Sequence, residues 1–276
     1  MFGRTGPGGS KKVAKDDPIA RELADLRGEV ARLREAVSRL GGTPPEGRVP
    51  GRIRTFVEGF DEALEGGIPE GHVVVLAGPS GSMKTSVALN ALHRNRKEGV
   101  RGLYISLEEG RESLLRTMER LGMKSEDDFI VDIGKLRTEH ESAEGVRDWL
   151  QILKDYLARR MEKSRIDLLV IDPLNSLYSL MEPRNPRRDM FHFFTHLRSL
   201  GVTTLVIAEA EGEGPFPDHE DFVADGAITI SYVPDPGGHV DLRIRCVKMR
   251  HANHSRDFFR LEFEDGRFRA RPIGTD

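Results

Sequence analysis

Cysteine is almost absent: the 276-residue chain holds one, Cys246. An intrachain disulfide is therefore excluded, and a cysteine-built zinc site is disfavoured. Long apolar runs are missing as well. No stretch approaches the roughly 18 residues that a membrane-spanning helix needs, and Met1 to Ser10 lacks the apolar core of a signal segment. The expectation is a cytoplasmic protein with no membrane partner. Charge of one sign is also lacking, with 42 Lys and Arg against 45 Asp and Glu and a net charge of −3. Nothing in that balance pulls the chain toward nucleic acid or an anionic surface. What the sequence has instead is charge of both signs, 32% of residues, above the usual quarter. Its length allows one large domain with a sizeable core plus an appendage.

Residues 1–16, rich in Gly, Lys and Ser, read as a disordered basic tail. A helix over 17–41 follows, with Asp17 as its cap and Pro18 at the first helical position. Ile19, Leu23, Leu26, Val30, Leu33, Val37 and Leu40 recur at alternating spacings of four and three. That narrow stripe between charged positions reads as a coiled-coil seam rather than a face lying on its own domain. So short a zipper is weak alone, so it should act beside another association surface, pairing copies or recruiting a protein partner. Gly41, Gly42, Pro44 and Pro45 end the helix, and a linker runs over 42–52.

The most informative stretch is 73–85, VVVLAGPSGSMKT. An aliphatic strand stops at a glycine-rich turn, and a helix restarts at Lys84-Thr85-Ser86. Such a turn aims backbone N–H groups and a helix N-terminus at one point, which suits phosphate. Gly78, Pro79, Ser80, Gly81, Ser82, Met83, Lys84, Thr85 and Ser86 are the candidate nucleotide-binding residues. In that role Lys84 reaches the β- and γ-phosphates and Thr85 ligates Mg²⁺. The match to G-x-x-x-x-G-K-S/T is incomplete, because Met83 stands where the last glycine belongs. Met83 must accept that position's backbone geometry and point away from the phosphates.

Three further strands end in chemistry-bearing residues. Strand 101–107 ends at Glu108-Glu109, a place where a carboxylate can orient water, though an acidic helix start would look the same. The unbroken apolar run 166–171 ends at Asp172, as in a strand buried on both faces. Residues 202–208 form another buried strand before Glu209. A charged, proline-containing loop is expected at 183–189, followed by a core-facing helix. His192 and His196 lie four apart without a third ligand nearby, which argues against a metal. Beyond Glu209 comes an acidic loop (Glu211, Glu213, Asp218, Glu220, Asp221) that opposes binding to a phosphate backbone. Hairpins are expected over 227–249 and 256–270. The α/β alternation from 73 to 208 followed by hairpins predicts a RecA-type P-loop core. That is a mostly parallel sheet between helices with an antiparallel edge.

Upstream of the loop, Gly59-Phe60-Asp61 and Gly66-Gly67-Ile68-Pro69-x-Gly71 fall at tandem spacing. Together with the loop this run resembles the entry to a KaiC-type ATPase domain of the RecA superfamily, and the resemblance covers 53–276. It implies ATP and Mg²⁺ as ligands, and a catalytic-base role for Glu108 and Glu109 jointly. It implies that Asp172 holds the magnesium shell through water or the Thr85 hydroxyl. It also makes Lys248 and Arg250, in Val247-Lys248-Met249-Arg250, an in-trans pair reaching a neighbour's γ-phosphate. A homo-oligomer, expected as a hexameric ring, follows from that pair. Clock proteins of this family phosphorylate themselves on a Ser-Thr pair; the corresponding place here, Asp221-Phe222, has no hydroxyl, so that route is not expected. The leading reading is slow ATP hydrolysis in a signalling or scaffolding switch. The rivals are a nucleotide-binding interaction module with little hydrolysis and a DNA-acting RecA-type recombinase accessory.

Overall fold

The computed structural model describes residues 51–124, 129–133, 149–179, 186–210, 216, 220–234 and 237–273. The expected tail, the coiled-coil helix, all but the end of the linker and most of the acidic 211–221 loop lie outside them. The described chain opens with short pieces: β1 (Arg52–Ile53), β2 (Val57–Glu58), α1 (Phe60–Ala63) and β3 (Ile68–Pro69). β4 (Val73–Gly78) and α2 (Lys84–Lys97) then flank the glycine-rich loop. They are followed by β5 (Gly102–Ser106), α3 (Arg111–Arg120), β6 (Ile130–Asp132), α4 (Trp149–Lys163) and β7 (Leu168–Asp172). Next are α5 (Leu174–Ser179), α6 (Pro186–Ser199), β8 (Thr203–Glu209) and α7 (Glu220–Val223). β9 (Gly226–Pro234), β10 (Val240–Met249), β11 (Phe259–Glu264) and β12 (Arg267–Pro272) complete the series.

One sheet runs in the order β2-β12-β11-β10-β9-β4-β8-β7-β5-β6, and β1 pairs with β3 apart from it. From β9 to β6 the strands are parallel, and β10, β11 and β12 add the antiparallel side. The aliphatic runs explain the centre. In β4, Val74 and Leu76 enter one core while Val73, Val75 and Ala77 enter the other, and β7 divides in the same way. A strand buried on both faces needs no polar alternation. Val87, Ala88 and Leu92 of α2 with Leu114 and Met118 of α3 cover one face. Leu150, Leu153 and Leu157 of α4 with Phe193, Phe194 and Leu197 of α6 cover the other. This is the RecA-type sandwich expected from the sequence.

Two boundaries differ from the expectation by three residues or more. Residues 186–189 are the first turn of α6, not loop; Pro186 takes the first helical position, where a missing N–H costs nothing. β11 starts at Phe259 rather than near 256. Ahead of it the Ser255 hydroxyl bonds Asp257 Oδ2 at 2.7 Å and accepts the Asp257 N–H at 3.1 Å, which closes a local turn.

Candidate active site

The strand ends of β4, β8, β7 and β5 are brought level by the sheet register. Gly78 pairs with Glu209, and Ser106 pairs with Asp172. All the residues that follow these ends therefore open onto one rim, where an α/β sheet places its ligands. A cleft of about 350 Å³ lies there, lined by the loop residues Ser80 to Ser86 and by Glu108, Glu109, Asp172 and Glu209.

Loop geometry explains why Met83 is tolerated. Gly81 takes φ 77° and Met83 φ 65°, both left-handed, so Met83 reproduces the backbone turn that a glycine would make. Its side chain packs partly buried against the sheet's core. Gly78 cannot be replaced as readily, because a Cβ there would collide with the Ile230 carbonyl of β9. Lys84 is buried and its ammonium donates to the Pro79 carbonyl at 2.7 Å, so it bridges the loop from inside. Burial pulls its pKa down, while the charges of Glu209 and Asp172 push the other way. Ser82 Oγ is buried without a partner.

Thr85 donates its hydroxyl to Asp172 Oδ2 at 2.8 Å. The same oxygen accepts the Tyr104 hydroxyl from β5. Burial raises the Asp172 pKa; the bonds from Tyr104 and Thr85 oppose that rise, and the charge of Glu109 adds to it. Burial, then Asp172 itself, pushes the Tyr104 phenol well above its ordinary value, so it acts as a donor. Glu108 accepts the hydroxyl of Ser176 from α5. Asn175 exchanges side-chain amide bonds with the Glu209 main chain at 2.7 and 3.2 Å, fastening α5 to the end of β8.

The structure thus gathers Lys84, Thr85, Glu108, Glu109 and Asp172 around one cleft, and it does not bring Lys248 or Arg250 to it. Lys248 pairs with Ala227 and Met249 with Gly226, which lie beside Val75 and Val74 of β4. Those positions are at the end of the sheet away from the loop. Lys248 Nζ donates there to the carbonyls of Asp221 and Ala224 at 2.7 and 2.8 Å. Arg250 donates to Asp225 Oδ1 at 3.0 Å.

Tyr104 and Asp225 carry contacts that the sequence did not announce. Tyr104 reads as a core aromatic, and only its alternation with Ser106 on a strand ending at Glu108 hints at the rim. His251 lies against His72 at 3.3 Å, and among the described residues there is no group of three His, Cys, Asp or Glu that could hold a metal.

The sequence profile described as "ATPase: KaiC" matches residues 53–268. The chain belongs to the KaiC family of ATPases. It is 26% identical over 235 residues to the circadian clock oscillator protein KaiC of Rippkaea orientalis, covering 81% of this chain and 44% of that protein. It thus spans less than half the length of the clock proteins it matches. It is 29% identical over 231 residues to a UPF0273 protein of Pyrobaculum aerophilum, covering 78% and 80% of the two chains. Among solved structures, a KaiC-like protein from Pyrococcus horikoshii OT3 superposes with a TM-score of 0.69 at 28% identity, covering 80% of this chain and 99% of that one. Family membership implies nucleotide binding. The described residues contain no helix long and apolar enough to cross a membrane.

Proposed function

We propose that this KaiC-family chain binds Mg-ATP in the cleft and hydrolyses it slowly, at subunit seams of a homo-oligomeric ring, as a signalling or scaffolding switch. The observation that carries the reading is the division of its charged groups. The loop with Lys84 and Thr85 shares one rim with Glu108, Glu109 and Asp172, while the two cations of the Lys248-x-Arg250 pair sit at the opposite end of the sheet.

The residues present fit the ligands. Ser82 Oγ is a buried polar atom without a partner, and Lys84 is held within the loop by a single carbonyl that a phosphate oxygen would outcompete. Thr85 and Asp172 are already hydrogen-bonded to each other and would hold the cation, Thr85 directly and Asp172 through water or the Thr85 hydroxyl. Mg²⁺ when bound supplies neutralisation of the β- and γ-phosphate charge. Tyr104 fixes one Asp172 oxygen, which leaves the other for the metal's water shell. Glu108 or Glu109 accepts a proton from the attacking water or orients it, and Ser176 sets the direction of the Glu108 carboxylate. Lys248 and Arg250 of a neighbouring subunit would meet the charge that builds on the γ-phosphate.

A reading without useful hydrolysis draws on Met83 alone, and the left-handed backbone it adopts keeps the loop's shape. The discriminating measurement is phosphate release at fixed protein concentration, wild type against the double variant Glu108→Gln/Glu109→Gln. Turnover should fall on the order of a hundredfold or more, the scale of general-base catalysis, with ATP still bound. Equal rates would leave a nucleotide-binding module and no enzyme.

A further inference from the structure

The turn between α7 and β9 ties together three strands and helices that are distant in sequence, and Asp225 is its centre. Asp225 is 7% exposed. Its Oδ2 accepts the Val73 N–H at 3.0 Å and Arg198 Nε at 2.7 Å. Its Oδ1 accepts Arg250 Nη1 at 3.0 Å. Its own N–H donates to the Val73 carbonyl at 2.8 Å, and its carbonyl accepts the Arg250 N–H at 2.9 Å. Arg250 is therefore held by main chain and side chain together, yet its side chain remains 48% exposed. The Lys248 ammonium is seated on the carbonyls of Asp221 in α7 and of Ala224 in this turn.

We propose that Asp225 is the positioning residue for the in-trans arginine, aiming the exposed part of the Arg250 guanidinium out of the subunit toward a neighbour's γ-phosphate. The proposal rests on the in-trans reading of Lys248 and Arg250. A guanidinium presents five N–H donors, and Asp225 Oδ1 accepts from Arg250 Nη1. This one is fixed by one nitrogen and left open on its other side. Arg198 does the opposite: its Nε takes Oδ2 and its Nη2 takes the Val223 carbonyl, so it buttresses the carboxylate from behind. Burial alone would push the Asp225 pKa up; the bonds from Arg198 and Val73 and the nearby positive charge outweigh it and hold the group lowered and ionised. Val73 also begins the strand that ends at the phosphate loop, so β4 sets the anchor and the subunit's own loop in one rigid frame.

The test uses the full chain with Asp225→Asn, which keeps the shape and an acceptor for Val73 but removes the charge that orients Arg250. The expected result is a fall in kcat on the order of tenfold or more, the scale set by misplacing a reacting group. KM and the affinity for an ATP analogue should stay within about twofold. Mixing Asp225→Asn with Lys84→Ala should then restore turnover above the sum of the two alone. The first variant supplies an intact loop and the second intact cations. Three results overturn the proposal in distinguishable ways. If Asp225→Asn turns over like wild type while Arg250→Ala is impaired, the in-trans reading stands and the positioning role fails. If Asp225→Asn loses ATP binding along with turnover and mixing restores nothing, its role is structural. If Arg250→Ala is itself without effect, the in-trans reading falls and the positioning role with it.

Discussion

Met83 is held at φ 65° and ψ 16°, a left-handed conformation that costs an L-residue roughly 1 kcal/mol. The side chain returns part of that through contact with the core, so truncation and strain must be separated. Met83→Ala removes the contact and keeps the strain, whereas Met83→Gly removes both. The glycine variant should therefore be more stable than the alanine variant by about 1 kcal/mol, the reverse of their order inside a helix. Denaturant unfolding of the pair decides it, and an alanine variant equal to or above the glycine one would mean that the loop relaxes around position 83. From the sequence, Met83 was visible as a departure from the motif, and its outcome followed from backbone geometry alone. Tyr104 and Asp225 were not visible, because their meaning lies in partners. Tyr104 meets Asp172 from 68 residues away, and Asp225 meets Val73 from 152. Neither residue type nor spacing announces such a pairing.

The segment before β4 acts as a brace for the elements behind the site. Asp61 of α1 is 4% exposed and accepts the Thr55 N–H and hydroxyl, each at 2.7 Å, and the Phe56 N–H at 3.0 Å. These bonds hold Phe56 at φ 56° and lead the chain into β2, which pairs with β12 at the far edge of the sheet. Gly59 lies so close to the Ala270 carbonyl that a Cβ could not fit, and Gly67 meets the Ile53 carbonyl in the same way. The Gly59-Phe60-Asp61 and Gly66-Gly67 pattern thus encodes close backbone approach and a buried carboxylate that ties down Thr55 and Phe56, rather than contact with nucleotide. Asp61→Ala takes the acceptor from three donors, the two of Thr55 buried and that of Phe56 partly so, and should cost roughly 3 kcal/mol or more, at 1 to 3 kcal/mol for each buried one. Nucleotide affinity of the folded protein should be unchanged, since no residue of this segment lines the cleft. Thermal unfolding and a binding titration check the two halves, and a loss of affinity greater than the loss of folded protein would return the motif to the site. The long central strands were legible because burial on both faces leaves an unbroken aliphatic run. β1 and β3, at two residues each, are too short to leave any pattern.

At the scale of the whole molecule, the sheet separates what one active site would need. Val74 and Gly78 are four residues apart on β4, about 13 Å of strand, and the Lys248–Arg250 end lies level with Val74 while the phosphate loop begins at Gly78. A single subunit can bind nucleotide with its own rim but cannot place its own cations there. Binding and turnover should therefore respond differently to dilution. Phosphate release per subunit should fall as protein concentration drops below that needed for assembly. On the proposed reading the affinity for ATP rests on Lys84, Thr85 and the loop of one chain, and it should change far less. Turnover measured across a dilution series, with the molecular mass followed in parallel with and without Mg-ATP, tests the claim directly. Activity per subunit that stays constant while the mass falls to one chain would show that the cations act elsewhere. A fall in activity that tracks the loss of mass would mean that each site is completed by its neighbour. The two ends of β4 would then be parts of two different active sites joined by one strand.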